Sequence, residues 1–302
     1  MIEGSTPSPR VSSQGVLAAA TSALTLGYSA PMPGTGSRYS DGAVAHETRL
    51  LGVSPVSAAL YGADGHSVGE TVFSASSGAH AGALYADLRA AGYLAPLARA
   101  ALLGEPLKRT LAGLSHEDAR LFSRALVVAG PYYPGSALGT ALEVALRAGR
   151  DTTLRDAMRF AAAGNPGDSM AREYARGFEV TLDLARPALF NALVRVEAVR
   201  PALVQAYLEV LAEVPDLDIE ARAGRKEAEE VSRMANGVLK NGGVSSRRGL
   251  QGLSNLDGLL REDPRLAPTA TEPPVLAAAF LLALEQGVEF LNHRVRPAQR
   301  RR

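Results

Sequence analysis

Apolar positions recur at helical spacing along almost the whole chain. In Ala202–Val214, the residues Leu203, Tyr207, Leu211 and Val214 share one face, and Pro201 stands where a first helical turn tolerates it. In Arg225–Lys240 the stripe is Ala228, Val231, Ala235 and Val238, ended by Asn241-Gly242-Gly243. Ser115 opens S-H-E-D, a capping signature with Asp118 three residues on, for a helix to about Ala129. The same spacing predicts helices over 13–28, 152–163, 168–185, 249–260 and 275–287. No stretch alternates in the manner of a strand, and neither a βαβ rhythm nor a fixed-period repeat is present. The expectation is an all-α fold, a single large multi-helix globular domain of about 10–12 helices over residues 13–290. A flexible tail (1–12) precedes it and a basic tail (291–302) follows.

Two stretches are apolar enough to raise the question of a membrane, 15–27 and 275–284. Both fall short of the ~20 residues a bilayer span requires, so they are predicted as buried core helices. The formal net charge of +1 supplies no global field toward nucleic acid or membrane. The arginine-rich end of the chain reads as a solvated terminus, since no aromatic residues accompany it. There is no Cys, which removes disulfides, thiolate metal sites and thiol nucleophiles together and fits a cytoplasmic location. No G-x-x-x-x-G-K-[ST] loop, H-E-x-x-H pair or G-x-S-x-G elbow occurs, and the five histidines lack zinc-site spacing.

Polar chemistry instead gathers at predicted helix boundaries. The opening loop PMPGTGSRYSDGAVAHETRL (31–50) combines Gly34, Gly36 and Gly42 with Arg38, Asp41, His46 and Glu47. A connector needs the turn residues but not the charges. SSGAHAGAL (76–84) surrounds His80 with small residues, which suits either a packed core histidine or a site. In NPGDSMAREYARGFE (165–179), Asp168 reads first as an N-cap, and Arg172, Glu173 and Arg176 as a solvated face. PDLDIEARAGRKEAEE (215–230) crowds Asp216, Asp218, Arg222, Arg225 and Lys226 into one break between helices. Taken alone, that run is a charged interhelix turn. RLAPTATEPP (265–274) precedes the most apolar helix.

Together and in this order, the clusters resemble the triphosphoribosyl-dephospho-CoA synthase family, in its archaeal-type branch. Pro31, Pro33, Gly34, Arg38, Gly42, Ala43 and, after a two-residue offset, His46 fit the family's P-K-P-G-x-V-D-R and N-G-A-H-x-D. His80, Gly82 and Ala83 fit N-T-H-K-G-A, and Asp216, Ile219, Arg222 and Gly224 fit D-T-N-I-x-x-R-x-G. Leu256-Asp257 and the helix AAAFLLALEQG resemble the family's C-terminal end. The chain departs at Met32, Gly78, Ala81 and Asp218, and Pro273 stands at the Asp position of the family's last loop.

The resemblance implies transfer of the 5-triphosphoribosyl group of ATP to the ribose 2′-hydroxyl of 3′-dephospho-CoA, with release of adenine. Displacement at an anomeric carbon passes through an oxocarbenium-like transition state and asks for a carboxylate, an acid and phosphate-holding cations. Asp216 or Asp218 is the expected carboxylate, and His46 or His80 the expected acid. Gly34, Arg38, Arg222, Arg225 and Lys226 are the expected nucleotide and phosphate ligands, with Mg²⁺ as the implied cofactor. The expected partners are therefore ATP and a dephospho-CoA-like acceptor. The alternatives are a catalytically divergent nucleotide-binding protein on the same helical scaffold and a related transferase with another acceptor.

Overall fold

The computed structural model describes residues 10–40, 42, 44–85, 87–129, 137–149, 152–196 and 198–295. Asp41, Ala43, most of the N-terminal tail and residues 296–302 of the basic tail lie outside them. In chain order the first helices are α1 (Ser13–Tyr28), α2 (His46–Leu51), α3 (Val53–Tyr61), α4 (Val68–Ala81), α5 (Leu88–Leu103) and α6 (Leu107–Ala112). They are followed by α7 (His116–Ala129), α8 (Ala137–Ala148), α9 (Leu154–Ala162), α10 (Ser169–Arg176) and α11 (Arg186–Val196). The last are α12 (Val199–Glu213), α13 (Leu217–Ala223), α14 (Arg225–Lys240), α15 (Arg247–Glu262) and α16 (Glu272–Gln286). Among the described residues there is no strand, only an isolated bridge between Ser37 and Ser40, so the all-α expectation holds. No described helix is long and apolar enough to cross a membrane.

The chain forms two compact units. The first is Met1–Thr21 with Leu51–Phe178, and the second is Ser22–Leu50 with Glu179–Arg302. The first is organised on α5, whose residues from Leu88 to Ala98 are buried apart from Arg89. A helix buried nearly all round has to be apolar nearly all round, which is how its Leu/Ala-rich sequence reads. Helices α4 and α7 pack so closely that a Cβ on Gly69 would lie 2.5 Å from the Asp118 backbone. Asp118, buried, makes that approach into a bond: its Oδ1 accepts from Gly69 N at 2.7 Å. Its Oδ2 accepts from Ser115 N (2.8 Å) and Ser115 Oγ (2.7 Å), the capping pair expected from S-H-E-D. Asp168 likewise caps α10, accepting from Ala171 N at 2.9 Å.

The helix predicted over 168–185 divides. Gly177 ends α10 with a left-handed backbone, and Phe178 follows at φ +66°. Phe178 is fully buried against Tyr93 and Tyr174, with ring centroids at 6.0 and 5.4 Å. Burial of that ring competes with helix continuation, and the chain resumes as a π-helical stretch, Val180–Ala185. Glu173 is buried, not part of a solvated face.

The second unit is built on α12 and α16. Ala202–Leu208 of α12 and Pro273–Phe280 of α16 are buried, so the apolar stretch at 275–284 is a core helix as expected. Helices α11 and α14 flank α12. This unit carries most of the charged loops singled out in the sequence.

Candidate functional site

In the second unit, chain segments far apart in sequence meet at loops. The opening loop begins Pro31-Met32-Pro33-Gly34, with Met32 fully buried. Gly34 turns at φ +72°, where a side chain would meet Pro268 at 2.8 Å, and its N–H donates to Asp257 Oδ1 on α15 at 2.9 Å. Gly42 packs backbone to backbone on Gly36, leaving no room for a Cβ on Gly42 and only a tight fit, at 3.1 Å, on Gly36. These two demands account for the glycines of the loop. Tyr207 of α12, wholly buried, donates its hydroxyl to the carbonyl of Pro33 (3.0 Å) and more weakly to that of Pro268 (3.4 Å). Burial, and then the charges of Asp216, Glu272 and Asp257, push this phenol well above its ordinary pKa, with Arg261 opposing. It is therefore a permanent donor that joins the opening loop to the 267–272 loop.

Arg261 continues the fastening. Its Nε donates to Asp257 Oδ2 (2.8 Å), and its Nη2 donates to the Thr35 carbonyl and to Ser40 Oγ, both at 2.8 Å. Arg49 of α2 is buried with its guanidinium 3.9 Å from the centroid of Tyr28. It pairs with Glu272 Oε2 at 2.6 Å and donates to the Gly36 carbonyl at 3.3 Å. Two buried polar atoms at this end of the unit have no hydrogen-bond partner among the described residues, Glu272 Oε1 and His46 Nδ1. Leaving such an atom unsatisfied costs about 1–3 kcal/mol, so each calls for a reason in function or in an ordered water.

Asp216 caps α13. Its Oδ1 accepts from Asp218 N (2.9 Å) and Ile219 N (3.1 Å), and its Oδ2 from Ala270 N (2.9 Å) and Thr271 Oγ1 (2.8 Å). Only 2% of Asp216 is exposed, and four donors occupy its two oxygens. The side chain that faces the 267–272 loop beside it is Asp218, half-buried, whose Oδ2 accepts from Thr269 Oγ1 at 2.5 Å. Arg222 donates to the Ala267 carbonyl. Three sequence clusters, the opening loop, 215–224 and 265–274, are thus drawn together with Asp257 of α15.

The remaining candidates are placed differently. Arg225 is exposed and pairs along its own helix with Glu229 at 2.8 Å, while Lys226 is exposed beside it. Arg38 is exposed, next to the ring of Tyr39. His80 belongs to the first unit, on the last turn of α4, and is exposed, so it is not a packed core histidine. Sequence reasoning passed over Arg49, Tyr207, Arg261 and Glu272. One weak signal existed for Arg49, which stands three residues after His46 and so shares its helix face.

With this geometry in place, the comparisons with known proteins are specific. The family described as ATP:dephospho-CoA triphosphoribosyl transferase matches residues 14–289. Among solved structures, one from Archaeoglobus fulgidus, assigned by name to triphosphoribosyl-dephospho-CoA synthase, is similar at a TM-score of 0.57 with 20% identity. It covers 79% of this chain and 99% of its own, a likeness of fold. No curated protein matches the chain. The family match extends over nearly all of the helical region, and the chain belongs to the ATP:dephospho-CoA triphosphoribosyl transferase family.

Proposed function

We propose, from that membership, that the second unit carries a site for moving the 5-triphosphoribosyl group of ATP to the 2′-hydroxyl of 3′-dephospho-CoA. In that reaction the C1′–N9 bond of ATP breaks and a bond from C1′ to the acceptor 2′-oxygen forms. The hydroxyl proton leaves, and adenine departs carrying a proton. The observation that supports the reading is the junction itself: the three loops resembling the family's motifs are fastened to one another by Tyr207, Arg49, Asp216 and Arg261. Holding reacting groups in fixed geometry is worth far more than any single contact, and a loop site needs such ties to be rigid.

Within the site we assign roles by exposure and geometry. Asp216 positions the loops, since its oxygens serve four donors. Asp218 is the carboxylate that faces the developing cation or takes the hydroxyl proton. His46, whose Nδ1 has no described partner, is the acid for the leaving base. Arg38, Arg222 and Lys226 contact phosphate, and Gly34, whose N–H is given to Asp257, shapes the loop that carries Arg38. Arg225 joins them by exchanging Glu229 for the ligand, and an exposed pair of that kind is weak enough to exchange.

Magnesium fits this donor set in one way. No described cluster of three or more His, Asp or Glu residues can hold a metal alone. Magnesium carried on a triphosphate needs only one or two protein carboxylates, and Glu272, through its unengaged Oε1, fits that part. Bound there, the ion would neutralise phosphate charge.

The test is adenine release from ATP, Mg²⁺ and 3′-dephospho-CoA, followed by chromatography, with Asp218→Asn alongside. Adenine formed by wild type and reduced at least about a hundredfold in the variant supports the assignment. The absence of both ATP binding and adenine would overturn it. Met32, fully buried at the position where the resembling motif has Lys, favours a second reading with the same donor and another acceptor. Adenine release that proceeds with an alternative ribosyl acceptor but not with dephospho-CoA would select it.

A further inference from the structure

Most arginines whose partners are described in the second unit are engaged by carboxylates. Arg49 pairs with Glu272, Arg186 with Glu285, Arg225 with Glu229, Arg233 with Glu230, Arg261 with Asp257 and Arg265 with Asp263. Arg38 and Arg200 differ. Among the described residues neither has a carboxylate in salt-bridge reach, and both converge on one aromatic ring, that of Tyr39. The Arg38 guanidinium carbon lies 5.3 Å from the ring centroid and that of Arg200 lies 5.9 Å away. Arg200 also donates to the Tyr39 hydroxyl at 2.7 Å, which puts its head at the hydroxyl edge of the ring rather than over the face. Tyr39 is 61% exposed, although a tyrosine serving only the core would bury its ring.

The ring is also held from behind. It lies on the short turn between Ser37 and Ser40, closed by Ser37 N–H to the Ser40 carbonyl (2.9 Å) and the reverse bond (3.1 Å). Arg261 ties the same turn to α15 through Ser40 Oγ and the Thr35 carbonyl. The result is a solvent-facing aromatic ring on a braced loop, with one guanidinium over it, a second at its hydroxyl and no described acid to neutralise them. Such a plane stacks a base, and the cations take the phosphates attached to it.

We propose that Tyr39, Arg38 and Arg200 form a docking platform for the adenosine 5′-diphosphate moiety, the base stacked on Tyr39 and the phosphates on the two guanidinium groups. Both substrates of the proposed reaction contain this moiety, so the platform serves either the donor or the acceptor. The inference rests on the proposed function only for its choice of nucleotide.

The experiment is calorimetric titration of the full-length chain with ATP and, separately, with 3′-dephospho-CoA, for wild type, Tyr39→Ala, Tyr39→Trp and Arg200→Ala. Adenine release is measured on the same samples. Because Tyr39 is exposed, unfolding midpoints are expected to be unchanged, which separates binding from folding. Tyr39→Ala is expected to weaken one nucleotide about tenfold or more, whereas Tyr39→Trp retains it. Arg200→Ala is expected to weaken the same nucleotide and to flatten its salt dependence. Loss for ATP alone assigns the platform to the donor, and loss for dephospho-CoA alone to the acceptor. Wild-type affinity for both nucleotides in Tyr39→Ala overturns the platform while leaving the proposed reaction intact. Tyrosine-dependent binding without adenine release retains the platform and overturns the reaction. A wild-type chain that binds neither nucleotide overturns both.

Discussion

Two buried aspartates, one in each unit, do the same chemistry to different ends. Asp118 and Asp216 are 3% and 2% exposed, and each uses both carboxylate oxygens to cap a helix and to hold a second segment. Asp118 holds α4 against α7, helix to helix, inside a core where Gly69 leaves no space. Asp216 holds a loop, Ala270-Thr271, against the start of α13. Each even raises a neighbouring buried phenol, Tyr174 beside Asp118 and Tyr207 beside Asp216, although burial is the larger cause for both. The first aspartate makes a fold. The second ties the start of α13, which carries Asp218 and the carbonyl-bound Arg222, to the loop before Glu272, so that its structural work is spent on the candidate site. Asp216 is expected from the family resemblance to be catalytic, and its four donors favour the positioning role proposed for it.

The largest expected effect tests that contrast directly. Asp216→Ala leaves the donors of Ala270, Thr271 and the α13 terminus unmet, at a cost of about 3 kcal/mol or more in urea unfolding. Asp118→Ala is expected to cost a similar amount. The two should part in activity per folded molecule: adenine release is lost with Asp216→Ala and kept with Asp118→Ala. Equal loss in both would erase the distinction.

Next in size are the glycines. Gly69→Ala forces a methyl to within 2.5 Å of the Asp118 backbone and is expected to cost about 1–3 kcal/mol by overpacking. Gly34→Ala strains a left-handed residue by about 1–2 kcal/mol and pushes on Pro268, and here nucleotide affinity should fall along with stability. Thermal unfolding and ATP titration on the same samples separate the two.

Smaller still are the phenols. Tyr207→Phe removes a donor shared by two carbonyls and should cost about 1–2 kcal/mol with lower activity. Tyr174→Phe frees only the Gly92 carbonyl, now bonded at 2.6 Å, and should cost about 1 kcal/mol with activity unchanged. Both are read by urea unfolding beside the adenine assay.

The least perturbing measurement is a pH titration. Tyr93, Tyr174 and Tyr207 have folded pKa values raised above 10.0, so the stability they contribute is complete below pH 10.0 and falls as pH rises beyond it. Their phenolate absorbance should appear only with unfolding. Early titration of all tyrosines together would contradict the burial of these rings.

What the sequence by itself determined was local. Helical spacing, Ser115 with Asp118, the cap at Asp168 and the stop at Asn241 each depend on residues within one or two turns, and the structure repeats them. The resemblance carried the family, because short motifs survive in order along the chain. The split of the helix predicted over 168–185, the burial of Glu173 and the exposure of His80 were decided by what packs around them. So were the ties of the site. Arg49 meets Glu272 across 223 residues and Tyr207 meets Pro33 across 174. No periodicity records such a pairing, because a buried polar group takes its partner from whichever segment the folded core brings within hydrogen-bond reach.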